Sequence, residues 1–336
     1  VAYSMPLRDV PEEPVDGTLV GDGPDFPDLG ELDVIRHYTR LSQWNFGIDT
    51  GMYQLGSCTM KYNHKINEKM AATRGLASAH PLLEAELSQG ILKLHYELEH
   101  YLAVITGMDA VSLQPSAGAQ GELTAMLMFA AYFRKKQQTR TKILIPDTAH
   151  GTNPASAALC GFTSIPITSG KNGILDPVSV EELMDQETVG IMVTNPNTLG
   201  LFEEQIKEIT DIVHRRGGLV YGDGANMNAI MGMVDIKRCG IDAVHLNLHK
   251  TFSTPHGGGG PGSGPICVTK ELAPFLPVPR VVKTDRGYLL ETDEEDSIGR
   301  VHGLFGNVSV LIRAYSYILS MGPDNLRKAS QLAVLN

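Results

Sequence analysis

Short runs of apolar and β-branched residues recur along the chain, at Ala110–Leu113, Lys142–Pro146, Thr163–Thr168, Gly190–Thr194, Gly218–Tyr221, Asp242–Leu248 and Pro265–Thr269. Each has the length of a strand, and several are separated by stretches with a helical period. Glu203–Arg216 is one such stretch. Ile206, Ile209, Ile212 and Val213 fall on one side of it, and Gly217 and Gly218 stop it. Strand alternating with helix predicts an α/β fold around a mostly parallel, seven-stranded sheet. Upstream, Leu83, Leu87, Ile91, Leu94, Leu98, Leu102 and Ile105 recur at helical spacing and predict a long helix ended by Gly107. A buried helix or a subunit contact accounts for that stripe without any chemistry.

Ligands of such sheets gather at the carboxyl ends of the strands, and the unusual residues fall there. The first run leads into Gln114–Glu122 (QPSAGAQGE) and then the helix-forming LTAMLMFAAYF. A strand, a Ser/Gly/Ala turn and a helix start together make an anion cradle, because the first-turn N–H groups lack intrahelical partners. The segment matches neither GxxxxGK[ST] nor GxGxxG, which favours a single phosphate over a nucleotide. The second run is followed by DTAHGTNP, with His150 before a helix start; a structural histidine satisfied by its neighbours is an equal reading of it there. The fourth ends in TNPN from Thr194, and the fifth in YGDGAN, where Asp223 closes an apolar strand. A carboxylate there needs a partner, since burying it alone is expensive.

The sixth run, with Val244, Leu246 and Leu248 alternating, reads as a strand that carries His249 and Lys250 to its end. A loop follows in which Gly257, Gly258, Gly259, Gly260, Gly262 and Gly264 allow close backbone approach. A lysine in that setting is an amine suited to a carbonyl, and pyridoxal phosphate (PLP) held as a Schiff base is the leading candidate. Most lysines are solvated surface charges, so Lys250 by itself decides little. His245 and His249 would share a zinc ion on a helix, but on a strand they stand ~13 Å apart, too far for one metal. No metal is expected. Taken together, a phosphate cradle, His150, Asp223 and Lys250 at neighbouring strand ends make a PLP constellation.

Composition narrows the class further. The 336 residues carry 28 Lys+Arg against 38 Asp+Glu, a net charge of −10 that argues against a nucleic-acid binder. No apolar run approaches membrane-spanning length, and the first residues lack a signal-peptide pattern. Cys58, Cys160, Cys239 and Cys267 form no CxxC pair and read as reduced thiols of a cytoplasmic enzyme. Residues 1–30, rich in Pro, Gly and acid, are expected to form an extended arm that gains order by lying on something, such as a partner subunit. Glu31–Met70 follows, with Arg36, His37, Arg40, Trp44, Tyr53, Lys61 and Tyr62 among glycines, and reads as a loop able to grip a small anion.

The segments RHYTRLSQWNFGIDTGMYQLGSCTMKYNHKINE, QPSAGAQGE, HGTNPASA, YGDGAN and NLHKTFSTPHGGGGPGSGP, which cover most of 36–265, resemble glycine dehydrogenase (decarboxylating), the P-protein of the glycine cleavage system, in its two-subunit form. The partner chain of that pair lacks the Schiff-base lysine, so Lys250 marks a β-type chain. The resemblance implies the fold of type I PLP enzymes. It implies that Lys250 carries the coenzyme, that Asp223 pairs with the ring nitrogen, that Ala225 packs on one ring face and that His150 stacks on the other. Gly118 and Ala119, with Ser116 or Gln120, would hold the phosphate. Thr194, Asn226 and His249 would complete the coenzyme's surroundings, and Ser57, Cys58, Thr59 and Lys61 would line the substrate side. The implied reaction is decarboxylation of glycine, with transfer of the aminomethyl group to the lipoyl arm of H-protein and release of CO2. The implied assembly is α2β2. Three parts are expected: an arm and active-site segment (1–70), a PLP-binding domain (71–305) and the start of a C-terminal domain (306–336) that is cut short. A cysteine desulfurase or aminotransferase of the same fold, or a non-catalytic subunit, are the alternatives.

Overall fold

The computed structural model describes residues 16–18, 21–45, 47, 49–51, 62–254 and 261–336. They fall into two compact units, residues 1–53 and 54–336. The described part of the first unit is dominated by helix α1 (Glu31–Trp44), in which no residue is buried. The loop expected from Glu31 onward is therefore a helix over its first third, and Lys65–Ala71 is a second one, α2. Val34, Tyr38 and Leu41 do keep helical spacing, but the mixture of charge and aromatic residues hides it.

In the second unit α2 is followed by α3 (Arg74–Ala77) and α4 (Ala85–Thr106). Alternation then sets in: β1 (Ala110–Ser112), α5 (Gly118–Lys135), β2 (Lys142–Pro146), α6 (Thr152–Leu159), β3 (Thr163–Ile167) and α7 (Pro177–Leu183). Next come β4 (Thr188–Thr194), α8 (Ile206–Arg215), β5 (Leu219–Gly224), β6 (Ala243–Leu246), the single turn α9 (Leu248–Thr251) and β7 (Ile266–Val268). A hairpin of β8 (Arg280–Thr284) and β9 (Gly287–Glu291) precedes α10 (Val308–Leu335), which breaks at Gly322 ahead of Pro323. All seven apolar runs are strands of one sheet, in the order β1-β7-β6-β5-β4-β2-β3. β7 runs antiparallel to both of its neighbours and the rest are parallel.

Successive strand residues feed two different cores. Leu144, Ile191, Val193 and Val220 join one cluster, while Ile143, Ile145, Met192 and Tyr221 join another. Period-2 alternation between two apolar layers is what a sheet covered on both faces demands. α4 ends as expected at Gly107, whose φ of 75° suits glycine. Its stripe is divided: Ile91, Leu94, Leu98 and Leu102 are buried, whereas Leu87 is 70% exposed. α8 turns Ile206, Ile209, Ile212 and Val213 inward, and its last turn brings His214 Nε2 to 2.8 Å from Asp242 Oδ2. That carboxylate also accepts the Val220 N–H at 2.7 Å, so one acid ties α8 to the β5–β6 edge.

One strand is shorter than expected. The sixth ends at Leu246, and the chain turns at Asn247 into α9, where the Lys250 and Thr251 N–H groups both bond the Asn247 carbonyl. Leu248 stays buried, which is why its apolar period imitated a longer strand.

Two measurements follow from this packing. In urea unfolding of the isolated chain, Leu98→Ala should lose about 2–5 kcal/mol, while Leu87→Ala stays within about 0.5 kcal/mol. The Asp242 hydrogen bond raises the His214 pKa above the ordinary 6.5. The pair therefore stabilises fully below that ordinary value and loses its effect as pH rises through the folded pKa. His214→Gln should accordingly destabilise most on the acid side of neutrality, and a penalty that grows with pH would contradict this.

Candidate active site

Three glycines let the backbone close in at the carboxyl ends of the central strands. A Cβ on Gly264 would stand 2.0 Å from the Ala117 carbonyl oxygen and 2.8 Å from the Gly118 nitrogen. One on Gly121 would meet the Gly264 oxygen at 2.7 Å and His245 Cβ at 2.8 Å, and one on Gly118 would meet Asn247 Nδ2 at 2.3 Å. The start of α5, the end of β6 and the stretch after the glycine-rich loop are thereby locked together, with Gly264 N–H bonding the Pro115 carbonyl at 2.9 Å.

This lock fixes the anion cradle. Ala117 precedes α5 in an extended conformation and no side chain caps the helix, which leaves the amides of Gly118, Ala119 and Gln120 without partners in the helix. Ser116 and Gln120 are engaged with each other: Ser116 N–H and hydroxyl donate to Gln120 Oε1 at 2.7 and 2.9 Å. Gln120 Nε2 reaches on to the Val301 carbonyl, so this side chain shapes the turn and leaves the backbone amides to face outward.

Asp223, on β5, is 3% exposed. Its Oδ1 accepts the Ala225 N–H at 3.0 Å, and among the described residues its second oxygen has no hydrogen-bond donor. In register beside it on β4, Thr194 has a buried hydroxyl without a partner among the described residues. Asn226 ties the two strand-end turns together, donating to the Pro196 carbonyl at 2.8 Å. Opposite Asp223 on β6 stands His245, 3.7 Å from Oδ1 through Nε2. That contact is not an ion pair: burial lowers the His245 pKa, outweighing the attraction of Asp223. The neutral ring accepts the Tyr221 hydroxyl at Nδ1 (2.5 Å) and donates from Nε2 to Asn247 Oδ1 (3.0 Å).

Lys250 projects from α9, half-buried, and among the described residues its amine makes no ion pair or side-chain hydrogen bond. It lies within electrostatic reach of His245 and of Glu122, as does Asp223, and His150 acts on His245 as well. The amine, the carboxylate and the histidine thus all act on the buried His245 ring at the end of β6. His150 itself is exposed, just before α6. His249 sits beside Gly262, its ring 3.3 Å from both the Asn247 amide and the Ser263 N–H. Gly257–Gly260, together with Ser57, Cys58, Thr59 and Lys61, lies outside the described residues.

The donor set fits pyridoxal phosphate. Uncapped helix amides match a phosphate, an unfilled carboxylate oxygen matches a ring N–H, a lone buried hydroxyl matches a ring substituent, and an unpaired amine matches an aldehyde. Sequence reasoning overlooked three members of this cluster. Glu122, 3% exposed, has one signal in the sequence, as the lone acid of α5. His245 has none beyond its spacing from His249, and Asn247 is hidden because the apolar period of the strand runs past it.

The comparisons agree with this arrangement. Residues 119–273 match the model of the aminotransferase class-V family. Among solved structures, a glycine decarboxylase (P-protein) of the glycine cleavage system superposes with a TM-score of 0.75 over 93% of this chain and 72% of its own, at 20% identity. A glutamate decarboxylase from Lactobacillus brevis gives 0.64 at 12% identity, covering 93% of this chain and 73% of its own. These likenesses place the fold among the type I PLP enzymes. The probable glycine dehydrogenase (decarboxylating) subunit 2 of Caldanaerobacter subterraneus subsp. tengcongensis is 55% identical over 341 residues, spanning all of this chain and 70% of the relative. That of Bacillus licheniformis is 51% identical over 342 residues, again spanning all of this chain and 70% of the relative. By that identity over its full length, the chain belongs to the glycine dehydrogenase (decarboxylating) subunit 2 family.

Proposed function

We propose that this chain is the lysine-bearing subunit of a glycine-cleaving enzyme, which decarboxylates glycine on pyridoxal phosphate and passes the aminomethyl group to the lipoyl arm of an H-protein. The observation that supports the reading is that Asp223 and Lys250 both act on Glu122 of α5, the helix whose first amides are uncapped and whose start Gly264 locks in place. The coenzyme, when bound, supplies an aldehyde for an amine and a ring that accepts the electron pair left behind by departing CO2.

The protein's own groups do the rest. Lys250 would hold the coenzyme through its amine, and as a free amine it would carry protons to and from the reacting carbon. Asp223 keeps a ring nitrogen protonated, because a buried negative charge beside it favours the cationic form. The α5 amides and helix dipole anchor the phosphate and hold the ring in register with Asp223. By the resemblance, Ala225, His150, Thr194, Asn226 and His249 would hold the ring, and Ser57, Cys58, Thr59 and Lys61 would line the substrate side. In the transfer, the carbon that has lost CO2 bonds to one sulfur of the lipoyl disulfide. The S–S bond would break, and the other sulfur would leave as a thiolate that takes up a proton.

A partner subunit of similar fold completes the α2β2 assembly. In support, α1 and its approach leave Phe26, Leu29, Leu32, Ile35, Tyr38 and Trp44 exposed. The division into an arm and active-site segment (1–70), a PLP-binding domain (71–305) and a C-terminal segment (306–336) belongs to the same reading, as does a cytoplasmic location. No helix among the described residues is long and apolar enough to cross a membrane. A desulfurase is disfavoured by Cys267, which follows Lys250 but lies fully buried on β7 with its thiol pushed up to about 12.

Three experiments test the reading. Co-purified with its partner, the chain should show an absorbance band near ~420 nm that glycine perturbs and Lys250→Ala abolishes. With H-protein present, carboxyl exchange between glycine and CO2 should fall by about 10²-fold or more in Asp223→Ala; exchange at the parent rate would exclude the assignment of Asp223. Gly264→Ala, which drives a methyl group into the Ala117–Gly118 peptide, should weaken coenzyme binding by at least about tenfold, and unchanged binding would remove the α5 cradle from the site.

A further inference from the structure

The chemistry above leaves the buried acid of α5 without a task. Glu122 stands on α5 one turn inside the phosphate cradle, and its oxygens point at α6. The Thr152 hydroxyl lies 2.8 Å from Oε1 and the Ser156 hydroxyl 3.4 Å from Oε2. The same Thr152 hydroxyl lies 2.8 Å from His150 Nδ1 on its other side. A buried carboxylate and an exposed imidazole at the rim of the site are therefore joined by a single hydroxyl.

A hydroxyl has one proton to give, and that decides the rest. An ionised Glu122 only accepts, so Thr152 donates to it and in turn accepts from His150 Nδ1–H. A protonated Glu122 reverses the chain. Its carboxyl donates to Thr152 Oγ1, the threonine proton turns to Nδ1, and Nδ1 also accepts the Thr152 N–H at 3.3 Å. The imidazole proton then sits on Nε2. The two arrangements hold the ring by different bonds and present a different nitrogen to its surroundings.

We propose that Glu122 is a positioning residue of this site, which acts through the Thr152 hydroxyl to set the tautomer and tilt of the His150 ring against the coenzyme. The inference rests on the pyridoxal phosphate reading. The charges around Glu122 support it. Burial first, and the charge of Asp223 second, raise its carboxyl to about 7, against the pull of Thr152, Ser156 and Lys250. The groups that face it are Asp223 and Tyr221 from β5, His245 from β6, Lys250 from α9 and His150 ahead of α6. Both arrangements therefore lie within reach near neutral pH.

Long-range proton–nitrogen spectra of the cofactor-free chain, with the His150 signals assigned from His150→Gln, read the tautomer directly. In the parent the neutral ring should shift its proton from Nε2 to Nδ1 as pH rises through the range of Glu122. Glu122→Gln and Thr152→Val should each abolish that step, and Thr152→Ser should restore it. A parent-like step in both of the first two variants overturns the proposal, as does its absence from the parent. If Glu122→Gln does not fold, Thr152→Val decides alone, since it leaves the carboxylate in place. Titration of the same proteins with pyridoxal phosphate should show about tenfold weaker binding in Thr152→Val, the scale of one lost hydrogen bond to a polar network. Parent affinity in that variant overturns the proposed action on the coenzyme. A parent that shows the tautomer step but binds no pyridoxal phosphate sinks the reading of the site and leaves the hydroxyl link standing.

Discussion

Everything at the strand ends depends on backbone coming closer to backbone than any side chain permits. Gly118, Gly121 and Gly264 each occupy a point where one added carbon would strike a neighbour well inside contact distance. At Gly264 the obstruction is main chain, which cannot rotate aside. The start of α5 therefore has one position relative to β6, and its amides face one point in space. Precision of that kind comes from excluded volume rather than attraction.

Within that frame the protein concentrates negative charge where there is little water to screen it. Asp223 and Glu122 are both buried, and the charge of Asp223 makes Glu122 harder to ionise. His245 between them stays neutral, held by Tyr221 and Asn247, and supplies dipoles without a balancing cation. Lys250 is a basic group that acts on Glu122 and on His245. A site with two acids and one amine favours an occupant that brings positive charge of its own to Asp223, as a protonated ring nitrogen does.

The sheet was legible because a covered parallel strand needs an unbroken apolar run, and seven such runs stand in the chain. The strand-end residues were legible too: Lys250 and Asp223 are conspicuous in small-residue surroundings. Elements whose reasons lie elsewhere in the fold were not. α1 has no buried stripe and so leaves no clear period to read. Leu248 kept the rhythm of a strand although it packs from a helical turn. Glu122 and His245 took on meaning only when β5 and β6 paired in register and α5 crossed above them. Spacing along the chain says nothing of that meeting.

The order of strands bears on how the protein is made. β1 has a single neighbour in the sheet, β7, and the two pair Ala110 with Val268, far apart along the chain. Until the ribosome has released β7, nothing seats β1 against the sheet, and the helix entry that follows it has no fixed place. The capacity to grip a phosphate is therefore acquired late, as nearly the last act of sheet assembly. A nascent chain interrupted before that strand holds the carboxylate and even the amine, yet lacks the anchor that would aim a coenzyme at them.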